Sequence, residues 1–88
     1  MIDREVTIAN RLGMHVRPAA ALVKLAARFK SEFTIEKDGF EINGKSIIGV
    51  MTLSAEQGSI LKLRFIGEDE AVMATEIVGL FERGFDEL

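Results

Sequence analysis

The residues of this sequence best suited to chemistry surround its only histidine, His15. Gly13 precedes it, and Arg17 and Pro18 follow it. A neutral imidazole is nucleophilic near pH 7 and can carry a phosphoryl group. A guanidinium two residues away offers a planar fork of donors for phosphate oxygens. These residue types at this spacing predict a phosphoryl-accepting histidine, with Arg17 stabilising the phosphate, although the bare residue also fits an exposed loop histidine without a role.

A helix must begin directly after His15 for this chemistry to work. Pro18 suits the first turn of a helix, where a missing N–H costs nothing. Apolar residues then recur at helical spacing, which predicts a helix over residues 16–29, namely Leu22, Leu25, Ala26 and Phe29. The unpaired first-turn N–H groups and the helix dipole would form an anion site beside His15. Gly13 would let the preceding loop take a turn closed to bulkier residues.

The remaining patterns predict an α+β fold. Alternating apolar residues predict strands over 2–8, 33–37, 40–42 and 60–66, and Asp38-Gly39 is a hairpin signal. A short helix is predicted at 47–53, and a last helix follows an acidic run, with a buried stripe of Ala71, Ala74, Ile77, Val78, Leu80 and Phe81. The order β-α-β-β-α-β-α predicts a single domain, residues 1–88, built as a two-layer open-faced sandwich. In it a four-stranded antiparallel sheet is covered on one face by three helices.

Composition excludes several other kinds of site. The chain has no cysteine and one histidine, so thiol chemistry and the usual zinc sets are excluded, and neither a metal nor another cofactor is expected. No Walker-type loop for nucleotides occurs. No apolar run approaches the ~20 residues of a membrane span, and no signal peptide is evident. We therefore expect a cytoplasmic protein without membrane insertion and without a nucleic-acid partner.

Charge is unevenly distributed along the chain. Residues 11–30 contain five cations and no Asp or Glu, whereas the rest of the chain carries six cations and fourteen anions. A solvated helix face would explain this pattern. A docking surface for an acidic partner, where charge raises the encounter rate, explains it equally well.

The stretch GMHVRPAA, residues 13–20, resembles the active-site signature of the HPr family, the histidine-containing phosphocarriers of the bacterial sugar phosphotransferase system. The likeness extends over the whole chain in element order. It implies a carrier rather than an enzyme, in which enzyme I phosphorylates His15 at Nδ1 using phosphoenolpyruvate and an enzyme IIA domain then accepts the group. Met14 and Val16 depart mildly from the family pattern, which affects partner fit rather than chemistry.

A second site is predicted at Ser46, which suits the N-cap of the short helix. The stretch KSIIGVM, residues 45–51, resembles the regulatory serine region of HPr proteins that HPr kinase/phosphorylase modifies. The resemblance therefore implies regulatory phosphorylation of Ser46. The short helix has too many apolar residues for one buried face, so part of the trio Ile47, Ile48 and Met51 should be exposed. We expect a partner-docking patch formed by Ala20, Lys24, Ile47, Ile48 and Met51.

Two other interpretations stay open. A regulatory paralogue of the nitrogen-type phosphotransferase branch would use the same chemistry for signalling. A pure interaction module would never be phosphorylated on His15. A relay that presents one docking face works best as a monomer, which is the expected oligomeric state.

Overall fold

The structure, a computed structural model, describes residues 1–87. Four strands are present: β1 (Ile2–Thr7), β2 (Glu32–Lys37), β3 (Phe40–Asn43) and β4 (Ile60–Ile66). Three α-helices alternate with them, α1 (Val16–Ala26), α2 (Ile47–Thr52) and α3 (Glu70–Glu82), and a short 3₁₀ turn follows at Gly84–Asp86. The order β-α-β-β-α-β-α and the predicted fold class are confirmed.

The sheet has the order β1-β4-β2-β3, and all neighbouring strands are antiparallel. The last strand in the sequence is therefore central and pairs with both β1 and β2. Asp38 and Gly39 both have positive φ, 52° and 83°, in the tight turn between β2 and β3. This geometry is the one that Asp-Gly favours in a two-residue hairpin, so the predicted hairpin is confirmed.

One face of the sheet forms the core with the helices. Phe33 on β2 and Phe65 on β4 are paired across the strands, and their rings stack with centroids 4.9 Å apart. Such aromatic pairs add about 0.5–1.5 kcal/mol beyond burial alone. The opposite face carries mainly polar and charged side chains, including the ion pair of Asp3 with Arg64. This alternation along the strands is what an antiparallel sheet covered on one side requires.

Two details of the helices differ from the sequence predictions. Helix α1 ends at Ala26, three residues earlier than predicted, and Phe29 packs against the core from the following turn. On α3 most of the predicted stripe is buried, namely Ala74, Ile77, Leu80 and Phe81, whereas Ala71 is exposed and Val78 only half-buried. Met73, which was not predicted, is fully buried because it lies one turn before Ile77 and two before Leu80, so these three face the core together.

The acidic residues at the start of α3, with Glu70 in its first turn, also form specific hydrogen bonds. The carboxylate of Asp69 accepts hydrogen bonds from the backbone N–H groups of Lys30 and Ser31 and from the Ser31 hydroxyl. Glu70 accepts from the N–H of Gly67 at 3.0 Å and from the N-terminal ammonium of Met1 at 2.8 Å. These carboxylates connect α3 to the turn after α1 and to the start of β1.

Candidate functional site

The loop between β1 and α1 is shaped by Gly13, which has a φ of +70°. A Cβ at this position would lie 2.5 Å from the carbonyl oxygen of Ala55. The next residue, Met14, is buried and donates its N–H to that same carbonyl at 2.8 Å. Only glycine fits this close approach, as the sequence predicted, and the loop is thereby held against the segment between α2 and β4.

His15 is the N-cap residue of α1. Its backbone is extended, and its carbonyl accepts the N–H of Ala19 at 3.0 Å. The side chain makes no capping hydrogen bond and is 35% exposed. The backbone of His15 therefore lies where the sequence predicted, at the mouth of the helix, while its ring is free to contact another part of the chain.

That other part is Glu87, which sequence analysis did not identify. The two carboxylate oxygens of Glu87 lie 2.9 Å and 3.2 Å from Nε2 of His15. An ionised carboxylate can only accept, so Nε2 carries the proton of this bond. The bond to His15 is the main reason that the pKa of Glu87 is lowered, and the bond from Asn10 adds to it. Within residues 1–87, Nδ1 of His15 has no hydrogen-bond partner, which leaves its lone pair free.

Asn10 is the second residue that sequence analysis missed. Its side chain is fully buried, and its Nδ2 donates to Oε1 of Glu87 and to the carbonyl of Gly13, both at 2.8 Å. Its Oδ1 is buried and has no donor among residues 1–87. An unsatisfied buried acceptor costs about 1–3 kcal/mol. Rotating the amide by half a turn would be less favourable, because Oδ1 would then face the Gly13 carbonyl oxygen and Oε1 of Glu87.

Arg17 lies in the first turn of α1 with its side chain exposed. It lines the same depression as His15 and Glu87, and its positive charge contributes to the lowered pKa of Glu87. Within the described residues it forms no salt bridge. His15, Arg17 and Glu87 together line an open depression rather than an enclosed pocket. A group bound to His15 would therefore stay accessible to a partner protein.

Ser46 is the N-cap of α2, as predicted. Its Oγ accepts the N–H of Gly49 at 3.1 Å, and the residue is half-buried. Val50 and Leu53 of this short segment are buried in the core. The other three apolar side chains, Ile47, Ile48 and Met51, are all exposed, Ile48 to 74%. The prediction that part of this trio is exposed is confirmed, since all three side chains are exposed.

Helix α1 presents two more predicted docking residues. Ala20 and Lys24 are exposed one turn apart on α1, and α1 packs against α2. The five predicted docking residues therefore lie on neighbouring helices. Their role in binding stays a prediction.

Two kinds of feature are absent from the part of the chain that the structure describes. None of its helices is long and apolar enough to cross a membrane. The same residues contain no group of three or more side chains placed to hold a metal ion.

Comparison with known proteins gives a consistent result. Residues 2–83 match the family described as "PTS HPr component phosphorylation site". The phosphocarrier protein HPr of Xylella fastidiosa strain Temecula1 is 42% identical over 87 residues, which are 99% of this chain and 98% of that relative. The phosphocarrier protein NPr of Proteus mirabilis is 44% identical over 85 residues, 96% of this chain and 94% of that relative.

Solved structures agree with the sequence relatives. A crystal structure of HPr from Thermoanaerobacter tengcongensis superposes with a TM-score of 0.96 at 40% identity, covering 100% of this chain and 99% of that one. A second structure of HPr from that organism, described as a dimer, superposes with a TM-score of 0.78 over 97% of this chain and 98% of the other.

Proposed function

Because this chain belongs to the HPr family of phosphocarriers in the phosphotransferase system, we propose that His15 accepts a phosphoryl group from phosphorylated enzyme I. His15 then passes this group to enzyme IIA domains. The observation that carries this proposal is that Nδ1 of His15 has no hydrogen-bond partner among residues 1–87, while the ring is held through Nε2 by Glu87. Arg17 stabilises the transferred phosphate with its guanidinium. The protein is a carrier, so the active sites of its partners supply the rest of the chemistry.

The direct test is phosphorylation by enzyme I and phosphoenolpyruvate, followed by intact mass. We expect a gain of one phosphate that is acid-labile and that is absent in His15→Ala. Arg17→Ala is expected to keep the acceptor and to lose rate, because only the stabilising charge is removed. A wild-type protein that gains no phosphate would establish the interaction module without phosphotransfer instead.

Ser46 is proposed as a regulatory phosphorylation site for HPr kinase/phosphorylase. A phosphate adds about −1.5 to −2 charges and is favoured at a helix N-cap, so α2 need not unfold. That charge would lie beside the exposed Ile47 and Ile48 and repel acidic partners. Ser46→Asp should slow phosphorylation of His15, while Ser46→Ala should not. Equal rates for Ser46→Asp and the unchanged protein would contradict regulation by charge at this residue.

A nitrogen-type regulatory role is the second candidate, and the 44% identity to the NPr of Proteus mirabilis favours it. Both roles need the same acceptor chemistry and differ in the acceptor proteins. Transfer from the phosphorylated protein to a sugar-type IIA domain and to a nitrogen-type IIA domain, measured side by side, separates them. Preferential transfer to the nitrogen-type domain would overturn the role in sugar uptake.

The protein is further proposed to act in the cytoplasm as a monomer, because His15 must first meet phosphorylated enzyme I and then, once it carries the phosphoryl group, a IIA domain, through one exposed face. The dimer described for the HPr of T. tengcongensis makes the oligomeric state worth measuring. Light scattering after size exclusion should give a mass near 9.7 kDa. A mass twice as large would contradict the monomer.

A further inference from the structure

We propose that Asn10 is a positioning residue for phosphotransfer, acting through Glu87 to fix the imidazole of His15 with its proton on Nε2 and its lone pair on Nδ1. This inference rests on the proposed function, because it assigns how the acceptor nitrogen is selected. Glu87 is the residue that contacts the ring, and Asn10 is the residue that holds Glu87.

The geometry shows why Asn10 is needed. Glu87 follows the short turn at Gly84–Asp86, and its side chain is 19% exposed. Packing restricts the aliphatic part of this side chain, but the last torsion of a glutamate is broad, so a hydrogen bond is needed to fix the direction of its carboxylate oxygens. The Nδ2 of Asn10 reaches Oε1 of Glu87 at 2.8 Å from a fully buried position. One Glu87 oxygen is thereby fixed by the interior of the protein while both face Nε2.

The orientation of the Asn10 amide is itself determined. Its Nδ2 has two acceptors, the Gly13 carbonyl and Oε1 of Glu87. Its Oδ1 is left buried without a donor among residues 1–87. The fold therefore tolerates an unsatisfied oxygen at Asn10 and in return keeps a donor aimed at Glu87. An apolar residue would fill this position at lower cost if stability alone mattered.

The consequence for the reaction follows from the proton on Nε2. The Nδ1 lone pair forms the new N–P bond while the bond from phosphorus to the donor breaks and its electron pair leaves with the donor. No proton leaves Nδ1, and the proton on Nε2 stays where it is. The ring gains a positive charge, which faces the Glu87 carboxylate at 2.9 Å. A ring protonated on Nδ1 instead could not attack through that atom.

The test uses the full chain labelled with ¹⁵N-histidine, whose single histidine makes the spectrum unambiguous. At about pH 8.5, where imidazoles are neutral, the unmodified protein should show an unprotonated Nδ1 and a protonated Nε2. Asn10→Ala should shift both ring resonances toward the averaged values of a mixed tautomer. Gln57→Ala is the matched control, because Gln57 lines the same depression and its Nε2 donates to the Ala9 carbonyl of the same loop, but among residues 1–87 it has no hydrogen bond to Glu87.

Kinetics with phosphorylated enzyme I give the second readout. Outer partners that orient metal-bound histidines change activity by about 10- to 100-fold. We expect the lower end for Asn10→Ala, a fall of about tenfold in the maximal transfer rate with KM changed less than threefold. Glu87→Gln should shift the ring resonances and slow transfer in the same direction. Because Glu87 lies outside the core, the Glu87→Gln variant can still be measured if Asn10→Ala does not fold.

The outcomes are separable from those of the proposed function. An unmodified protein that gains no phosphate by intact mass contradicts the carrier role, whatever the ring spectrum shows. The other case is an unmodified protein that is phosphorylated normally. Unchanged spectra and rates in Asn10→Ala then overturn the positioning role alone. If Asn10→Ala is unfolded, unchanged spectra and rates in Glu87→Gln do the same. An unmodified ring protonated on Nδ1 overturns it as well.

Discussion

At the scale of single residues, the site depends on contacts that leave little freedom in the loop before α1. Gly13 combines a positive φ with a backbone oxygen 2.5 Å from where its Cβ would lie. His15 combines an N-cap backbone with a ring directed to Glu87. The Gly13 backbone and the His15 ring each contact a residue distant in sequence, Ala55 and Glu87, so the position of the imidazole depends on tertiary contacts as well as on the local backbone.

Gly13→Ala should destabilise the protein by about 2 kcal/mol, because a left-handed alanine is strained and the contact with Ala55 must be relieved. Urea unfolding measures this change in the free energy of unfolding. Gly58→Ala is the matched control: Gly58 also has a positive φ, +90°, but nothing lies within 4 Å of its added Cβ. Equal losses in the two variants would show that the contact with Ala55 has no energetic weight.

At the scale of elements, the turn after α3 brings Glu87 to the site. Gly84, Phe85 and Asp86 all have positive φ between 57° and 60°, which reverses the chain at the end of the helix. Phe85 is buried and packs edge-to-face on Phe81, with ring centroids 4.9 Å apart. The aromatic contact stabilises a backbone conformation that would otherwise be unfavourable.

Phe85→Ala should therefore reduce the free energy of unfolding by about 3 kcal/mol, the lower end for a buried phenylalanine because a terminal turn can adjust. It should also disturb the ¹⁵N resonances of His15, since the anchor of Glu87 is lost. Phe40→Ala is the control, because Phe40 is exposed at an edge strand. A His15 spectrum unchanged in Phe85→Ala would show that the turn does not position Glu87.

The connection between α3 and the turn after α1 predicts a pH dependence. The Ser31 hydroxyl and the backbone N–H groups of Lys30 and Ser31 lower the pKa of Asp69 to about 2. An unfolded Asp titrates near ~3.9, so this carboxylate stabilises the native state above that value, and the contribution is lost as pH falls toward 2.

Asp69→Asn should accordingly lower stability at neutral pH and flatten the decline in stability between about pH 5 and pH 2. Thermal unfolding across this range measures it. Asp38→Asn is the control, since Asp38 is exposed in a turn. The decline should persist in part, because Asp3, Glu70 and Glu87 also have lowered pKa values. An acid profile unchanged by Asp69→Asn would contradict this assignment.

Local patterns predicted the elements well and the site only in part. The hairpin at Asp38-Gly39, the cap at Ser46 and the loop at Gly13 each follow from short-range rules, and the structure has all three. Glu87 could not be predicted, because it lies 72 residues from His15 and no local pattern connects them. On α3 the predicted stripe included the exposed Ala71 and omitted the buried Met73, because an apolar helix with many candidate faces leaves the choice to tertiary packing.

At the scale of the whole molecule, three exposed large apolar side chains, Ile47, Ile48 and Met51, lie together on the short helix α2, which packs against the cationic helix α1. This arrangement supports the proposed docking patch of Ala20, Lys24, Ile47, Ile48 and Met51, since an apolar centre with a charged rim is typical of binding surfaces. Ile48 is its most exposed apolar member.

Ile48→Glu should raise the KM for phosphorylation by enzyme I about tenfold or more, with stability changed by less than ~0.5 kcal/mol, as is usual for surface positions. Steady-state transfer assays measure the KM. Val72→Glu is the matched control, because Val72 is equally apolar and 59% exposed but lies on α3. Similar effects of both substitutions would mean that α2 has no special role in docking.

The central place of β4 also affects the protein while it is being made. Within the described part of the chain, strand β1 pairs only with β4, with Ile2 opposite Phe65, and β2 pairs with the other side of the same strand. At synthesis rates of about 5–20 residues per second, several seconds separate the emergence of the first strand from that of its partner. During that interval only the hairpin of β2 and β3 can pair, so a ribosome-bound chain has an unsatisfied first strand that other nascent chains or chaperones can reach.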